Sequence, residues 1–575
     1  MTWNLFGIPE FKKQIDKDKH LITIVNNFKR KIPQNSEYYN RLLKEFKLIV
    51  KFNFSKCFLQ VIDILDMTKN IPHIIRGSSG SSLTCYLLGI SSFDPIKYNI
   101  SLARFMHKKR PNLPDIDIDF PYNRRDEIFK KIYDKWDNKV ARISNHNIYH
   151  EKSAMRQAIR DNGHNKFVPR YFSLNTIFKN NNVKVKKVKK RKEDLIGTFR
   201  CYSLHCGGIV IFDEDIPDDL LVKNKQLVFN KDDVEENGFI KIDILSNRGI
   251  AQLYEIDKRP LDCYPDYDKK TIDLLCRGDN VGLTFAESPG MRKIFRTLQP
   301  KCVDDIAQAL ALIRPAATES KNVVKNLDTA LIYDDDAIQY IQKILNCSES
   351  DADIYRKAFT KNKTKLINEF SEKINNHKNK NLILRNLKTL HYYSFCKSHA
   401  YSYAQLVWAL AYHKANNPKK FWKSTINNCH SMYKKWVHYS EAKKSKLNVV
   451  IGSPPWTIKN NTLVNGPQQL TLFNNPVSEY YKYGYWTDQK FLPGMYCKKK
   501  DNIISFKGII ATFRKYKRNK HSCTYVTIGY DNGKYLDLVF NGVMSVYKKN
   551  CVEGKGKFNT SNFGIEVSEY KIFTI

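Results

Sequence analysis

The chain has no CxxC pair, no long apolar run and far fewer acids than bases. Its apolar stretches, such as Leu406 to Tyr412, fall well short of the roughly 18 residues that a membrane-spanning helix needs. The opening MTWNLFGIPEFKK lacks the basic-then-apolar order of a secretory signal. The 13 cysteines are scattered and odd in number, which argues against a zinc ribbon and a secreted disulfide framework. Reduced thiols in a cytoplasm are the expectation. No repeat of roughly 20 to 50 residues is visible, which excludes a solenoid. What remains is 575 residues, 42% hydrophobic and 27% charged, enough for several folded domains. Lys plus Arg is 96 against 58 acids, a net charge of +38. Such an excess points to a polyanion, nucleic acid before membrane.

Along the chain, residues 37–70 carry apolar positions at helical spacing (Leu42, Leu43, Phe46, then Val61, Ile62, Leu65). RGSSGSS at 76–82 is a small-residue loop, residues 113–120 alternate as a strand, and FIKIDIL at 239–245 is strand-like. KVKKVKKRK at 184–192 is strongly basic, open to reading as a phosphate contact or as a solvated face. Helical patterns dominate from 253 to 435, and residues 436–500 read as irregular, with SPPW, NGP and PG breaks. The last 75 residues hold short β-rich runs, two of them joined by the hairpin signal Asp531-Asn532-Gly533.

The segment NLPDIDIDF carries the chemistry. In a strand, Asp115, Asp117 and Asp119 share one face while Ile116, Ile118 and Phe120 share the other. Like charges at about 7 Å spacing repel, and strands are normally depleted in Asp, so a cation over that face is expected. A solvated acidic edge neutralised by Arg124, Arg125 and Lys108 to Arg110 is the plainer alternative. Asp243, isolated between apolar residues in IKIDIL, favours the cation. An Asp-x-Asp pair with one more carboxylate from a neighbouring strand is a ligand set for two Mg²⁺ ions about 3.5–4 Å apart, the arrangement of in-line phosphoryl transfer. Gly77 and Ser78 in the upstream loop would let backbone N–H groups approach phosphate oxygens, although the same residues would also suit a flexible linker.

The ordered segments RGSSGSSLTCYLLGISSFDP, LARFMHKKRPNLPDIDIDFPYNRRDE, HCGGIVI, IKIDILSNR, GLTFAESPGMRKIFRTLQP, ALIRPA and FCKSHAYSYAQLVWALAYHKANNPKKFW, spread over roughly 37–425, together resemble the C-family bacterial replicative DNA polymerases, those of the polymerase III alpha subunit. The resemblance implies a multidomain α+β chain. Its parts would be a polymerase-beta-like nucleotidyltransferase palm, helical thumb and fingers, and a C-terminal OB-like β-barrel. The expected division is 1–138 palm, 139–195 thumb, 196–252 palm with the third catalytic Asp, 253–435 helical fingers, 436–500 irregular linker and 501–575 OB-like domain. It implies Asp115, Asp117 and Asp243 as catalytic metal ligands, with Asp119 in a supporting role. Gly77, Ser78, Arg104, Arg110, Lys241, Lys397, Ser398 and His399 are implied at the nucleotide and primer end. His399 read alone could be a core or capping histidine. KSAMRQAIR resembles the thumb helix that touches duplex DNA through Lys152, Arg156 and Arg160. Gln469, Leu470, Thr471, Leu472 and Phe473 resemble the peptide that docks on the β sliding clamp, against the alternative of a turn packing on the barrel. Phe513 to Arg518 interleave aromatic and basic residues suited to single-stranded template, or simply furnish a small barrel's core and solvated surface.

The expected function is therefore a template-directed DNA polymerase in replication. It would use two Mg²⁺ ions, dNTPs and primer–template DNA, be tethered to a clamp, and have no membrane partner. Departures from the family pattern add expectations. The N-terminal phosphoesterase-like domain and an exonuclease motif set are not visible, so no intrinsic proofreading is expected. Ser81 stands where glycine is usual, and Ala286 is read as replacing the glutamine of the fingers' QxES motif. A gap-filling nucleotidyltransferase and a catalytically inactive replisome scaffold derived from a polymerase are the rival readings.

Overall fold

The computed structural model describes residues 5–573 except 111–113, 169–171, 224, 314–330, 389, 391–394, 429–430, 450–455, 465–494, 519–520, 531–533, 543, 545–549 and 560–563. Two helices, Ser36–Lys51 and Ser55–Met67, begin the part that holds the acidic strand. Asn35 starts the first, its side chain accepting from the backbone N–H groups of Glu37 and Tyr38. Leu42, Phe46 and Ile49 of one helix and Val61, Ile64 and Leu65 of the other are buried in a single core with the first strands.

Those strands form a seven-stranded mixed sheet of β1 (Ile74–Arg76), β2 (Ile116–Pro121), β3 (Val140–Ile148), β4 (Phe199–Ile211), β5 (Leu221–Lys223), β6 (Gln226–Leu227) and β7 (Lys241–Asn247), in the order β1-β2-β7-β4-β3-β6-β5. The acidic strand β2 and the Asp243 strand β7 are parallel neighbours, with antiparallel β1 and β4 outside them. Alternation holds as expected: Ile116, Ile118 and Phe120 are fully buried on the helix-covered side.

Residues 140–148, expected in the thumb, belong instead to the sheet. Val140, Ala141 and Ile143 are buried there, and β3 pairs along most of β4. The helical insertion proper is Glu151–Asp161, Leu174–Ile177 and Asn182–Leu195, with its own small core of Ala154, Ala158, Ile159, Val188 and Leu195. KVKKVKKRK lies on the last of these helices. Val185 and Val188 point inward while Lys186, Lys187, Lys189 and Lys190 are exposed.

After β7 the described chain is helical to Lys444. Its central element, Lys397–Asn416, is buried almost all round, which explains its run of apolar and aromatic residues. The helices Asp334–Leu345, Glu349–Thr360, Thr364–Lys373 and Lys380–Lys388 gather around a separate core that includes Ile338, Phe359 and Phe370. The stretch expected to be irregular opens with a helix, Lys435–Lys444, and a small sheet of β8 (Asn448–Val449), β9 (Thr457–Lys459) and β10 (Thr462–Val464). Strands of two or three residues are too short to display a period in the sequence.

The C-terminal strands are β11 (Tyr496–Lys500), β12 (Ile503–Arg518), β13 (His521–Tyr530), β14 (Lys534–Asn541), β15 (Cys551–Asn559) and β16 (Gly564–Phe573). They follow the order β11-β12-β13-β14-β16-β15, and β12 also pairs with β15, so five strands close into a ring around Phe506, Ile510, Ile528, Leu538 and Phe540. The β14–β16 pairing alone is parallel. Tyr530 pairs with Lys534 across the expected hairpin, whose residues 531–533 lie outside the described ones. The barrel is docked on the helices. Gly529 leaves room for the Trp436 indole, to which an added Cβ would come within 2.6 Å. Buried Arg292 donates to the Tyr433 hydroxyl at 2.9 Å and faces Asp537 at 3.5 Å. Among the described residues no helix is long and apolar enough to cross a membrane.

Candidate active site

Parallel pairing of β2 with β7 sets Asp117 directly opposite Asp243. Asp115, two residues earlier on the same face, joins them, and one carboxylate oxygen from each of the three lies within 4.8 Å of the others. Asp117 Oδ1 and Asp243 Oδ1 are buried and have no hydrogen-bond partner. Burial first, then the charges of Asp115 and Asp243, push the Asp117 carboxyl up to about 8. Buried, mutually repelling carboxylate oxygens without donors are the arrangement that hard divalent ions relieve, so the donor set fits the expected magnesium site.

One cation already stands there. The Lys241 ammonium, on β7 two residues before Asp243, donates to Asp243 Oδ2 and lies 3.2 Å from Asp115 Oδ2. Burial alone would lower the Lys241 pKa, but Asp243 and then Asp115 outweigh it and raise it. Burial would likewise raise Asp115, yet the Lys241 charge and hydrogen bond hold it below the usual carboxylate range. Expected at the nucleotide, Lys241 is here engaged with the carboxylates. His205 completes this side, its Nδ1 3.6 Å from Asp243 Oδ1.

Asp119 is fully buried and does not join the cluster. It accepts from Arg76 Nη2 at 3.0 Å, Asn247 Nδ2 at 2.7 Å and the Tyr403 hydroxyl at 2.7 Å. These bonds tie β1, β2, β7 and the Lys397–Asn416 helix together behind the site.

The small-residue loop packs on the start of that helix. Gly77 adopts φ +73°, and a Cβ there would sit 3.3 Å from Asp117 Oδ2. Its N–H donates to His399 Nδ1 at 3.3 Å, and its carbonyl accepts from the Ser398 hydroxyl at 2.7 Å. Ser398 is fully buried, while Ser78 and His399 are half-buried beside it. Ser81, where glycine was expected, is buried with Oγ 3.4 Å from Ser398 Oγ. Lys397 is turned aside, with Nζ 3.4 Å from the Asn99 carbonyl oxygen. Counted back from Glu287, the glutamine position of a QxES motif is Phe285 rather than Ala286. Phe285 holds φ +71° and packs edge-on against Tyr403, ring centroids 4.3 Å apart, while Ala286 is buried.

Two basic residues expected at the nucleotide are engaged elsewhere. Arg104 pairs with Asp334 at 2.7 Å inside a buried charge network with Asp353 and Arg356. Arg110 Nη1 donates to the carbonyls of Arg104 and Phe105. Lys152, Arg156 and Arg160 are exposed on the Glu151–Asp161 helix, and with His146, His150 and Arg200 they line a cavity of about 530 Å³. Residues 469–473 lie outside the described residues.

Sequence reasoning missed Glu45. It is fully buried and accepts from Ser82 Oγ, the backbone N–H groups of Leu83 and Thr84, Thr84 Oγ1 and Arg41 Nε, at 2.7–3.0 Å. This carboxylate anchors the segment that follows the Gly77 loop. Its one signal in the sequence is a place on the helix face of Leu42, Phe46 and Ile49, where an acidic side chain is out of pattern.

Residues 19–246 match the family described as the bacterial DNA polymerase III alpha NTPase domain, and residues 246–329 match the bacterial DNA polymerase III alpha subunit finger domain. Among curated proteins, the DNA polymerase III subunit alpha of Staphylococcus epidermidis is 26% identical over 517 residues, covering 77% of this chain and 48% of the relative. That of Halalkalibacterium halodurans is 28% identical over 473 residues, covering 68% and 41%. The Staphylococcus aureus protein is 26% identical over 520 residues, covering 77% and 48%. The chain therefore spans about half the length of the curated relatives it matches. It belongs to the C-family bacterial DNA polymerases, those of the polymerase III alpha kind.

Proposed function

With that membership as premise, we propose that the chain is a template-directed DNA polymerase that adds dNTPs to a primer 3′ end by two-metal phosphoryl transfer in DNA replication. The observation that carries the reading is the convergence of Asp115, Asp117 and Asp243 from two adjacent parallel strands, with two buried carboxylate oxygens left unpaired. Two Mg²⁺ ions held by these carboxylates would supply an activated primer hydroxyl and stabilise the charge that develops on the phosphoryl group.

The chain's own residues do the rest. Gly77 keeps the loop close over Asp117, and its hydrogen bonds with Ser398 and His399 join the loop to the helix start in one wall. We assign the dNTP triphosphate to this wall, where the positive end of a 20-residue helix favours phosphate. Asp119 fixes the strand that carries Asp115 and Asp117 against both β1 and that helix. Lys152, Arg156 and Arg160 are assigned to duplex backbone as exposed cations on one helix. The closed barrel, with ring order β12-β13-β14-β16-β15 and one parallel pair, supports an OB reading. Exposed Phe513, Arg514, Lys515 and Tyr525 on β12 and β13 support contact with single-stranded template.

Asp117→Ala should abolish primer extension while leaving primer–template binding nearly unchanged. Extension retained by that variant would remove the mechanism, and a parent protein inert on primed DNA would favour the scaffold reading. Clamp tethering rests on the sequence QLTLF at 469–473. Deleting those residues should shorten products when clamp is present and change little without it. An equal loss without clamp would assign the segment a structural role.

A further inference from the structure

The strand next to Asp243 does not run straight. Arg142 of β3 pairs with Ile209 of β4, and Ser144 pairs with Leu204, so Ile143 alone stands opposite residues 205–208. This bulge contains the segment His205-Cys206-Gly207-Gly208, and Gly208 is the register partner of Asp243. A Cβ at Gly207 would meet the Ile244 carbonyl oxygen of the backbone at 2.6 Å, whereas one at Gly208 would press on side-chain atoms that can shift, Ile143 Cδ1 at 2.7 Å and His205 Nδ1 at 2.9 Å.

The bulge is held from both sides. The Arg142 guanidinium donates to the carbonyls of His205 and Cys206. His205 folds its ring back so that Nδ1 accepts from the Gly208 N–H at 2.8 Å and the Gly207 N–H at 3.3 Å. A ring nitrogen that accepts two N–H groups carries no proton of its own. It therefore cannot donate to Asp243 Oδ1, 3.6 Å away, and that buried oxygen is left without a hydrogen bond.

We propose that His205 is a positioning residue for the metal centre. As the acceptor that closes the bulge, it sets the backbone beside Asp243 and keeps one oxygen of that carboxylate unpaired and free for a divalent ion. This inference rests on the reading of Asp115, Asp117 and Asp243 as metal ligands. It differs from that reading in assigning the ion's affinity partly to a side chain that never touches it.

The test titrates the 575-residue chain with Mn²⁺, without DNA or nucleotide, and follows free Mn²⁺ by electron paramagnetic resonance. His205→Leu keeps bulk but removes the acceptor, while His205→Asn restores an acceptor oxygen near the place of Nδ1. His205→Leu should weaken Mn²⁺ binding by roughly tenfold to hundredfold, as residues supporting a metal ligand commonly do. His205→Asn should recover most of that loss. Parent-like affinity in His205→Leu, or equal losses in both variants with parent-like circular dichroism, would overturn the inference. If His205→Leu does not fold, the Leu–Asn comparison is replaced by Gly208→Ala, which should weaken Mn²⁺ while keeping the sheet; parent-like binding there counts equally against it. Asp243→Asn is the reference: if it too binds Mn²⁺ like the parent, the metal reading itself fails, whatever His205 does.

Discussion

Replacing Lys241 by methionine tests the electrostatics of the site most directly. The Lys241 ammonium lies between Asp243 and Asp115, and the side chains of Lys241 and Asp243 are each only 9% exposed. Methionine preserves most of the volume and removes the charge, leaving three carboxylates whose oxygens lie within 4.8 Å of one another. Removing one partner of a buried pair typically costs about 3–5 kcal/mol, because the remaining charge is left uncompensated. In EDTA the variant should lose stability on that order. A divalent ion would replace the missing charge, so millimolar Mg²⁺ should restore most of the loss. Since ammonium and ion are held by the same carboxylates and repel each other there, ion affinity should also rise, and about 3 kcal/mol corresponds to roughly a hundredfold at 1.4 kcal/mol per tenfold. The assay is urea unfolding of parent and variant at neutral pH, with EDTA and with Mg²⁺, alongside a Mn²⁺ titration. Equal destabilisation with and without Mg²⁺ would refute the reasoning, since it would mean that Lys241 and the ion do not share a site.

Two further predictions concern the frame around the site. Asp335 is buried and accepts from the backbone N–H groups of Ser101 at 3.0 Å and Lys397 at 3.3 Å. Burial, opposed by Arg104, pushes its carboxyl up to about 6, above the unfolded value of about 3.9. The folded state therefore holds the proton more tightly, and stability should fall as pH rises from about 4 to about 6, a slope that Asp335→Asn should flatten in thermal melts. Asp353, held low despite its burial by His107 and Arg356, acts with the opposite sign and only below about pH 4. An unchanged slope in Asp335→Asn would exclude Asp335 as its source. Glu45→Gln should cost about 3 kcal/mol or more in denaturant unfolding, because four donors from residues 82–84 and the Arg41 guanidinium lose their carboxylate. A variant within about 0.5 kcal/mol of the parent would show that the anchor is dispensable.

Much of the site was legible because its signals are local. Alternation alone put Asp115 and Asp117 on one face of a strand with buried isoleucines on the other, and the structure keeps that division. Asp243 stood out as an acid in an apolar run. What could not be read was decided by contacts between separated parts of the chain. The family resemblance implies Lys241 and Arg104 at the nucleotide and primer end, and their carboxylate partners in the fold were not legible. Whether a cation faces ligand or carboxylate depends on which acids fold back onto it, and Asp334 is 230 residues from Arg104. Residues 140–148 were expected with the helical insertion that follows them, as part of the division at 139–195 that the resemblance implied. The pairing with β4 that makes them sheet is formed across 50 or more intervening residues.

The sequence by itself determined the periodicities, the charge, the motif order and hence the family, because each is written in the spacing of neighbouring side chains. Only the tertiary structure decided that β2 and β7 lie parallel in the one register that faces Asp117 with Asp243. It also decided that a bulge closed by His205 flanks that pair, and that Glu45 and Asp119 serve as buried anchors. Register, burial and the identity of a hydrogen-bond donor arise from segments meeting after the chain has collapsed, and local residue patterns carry no record of which distant segment they will meet.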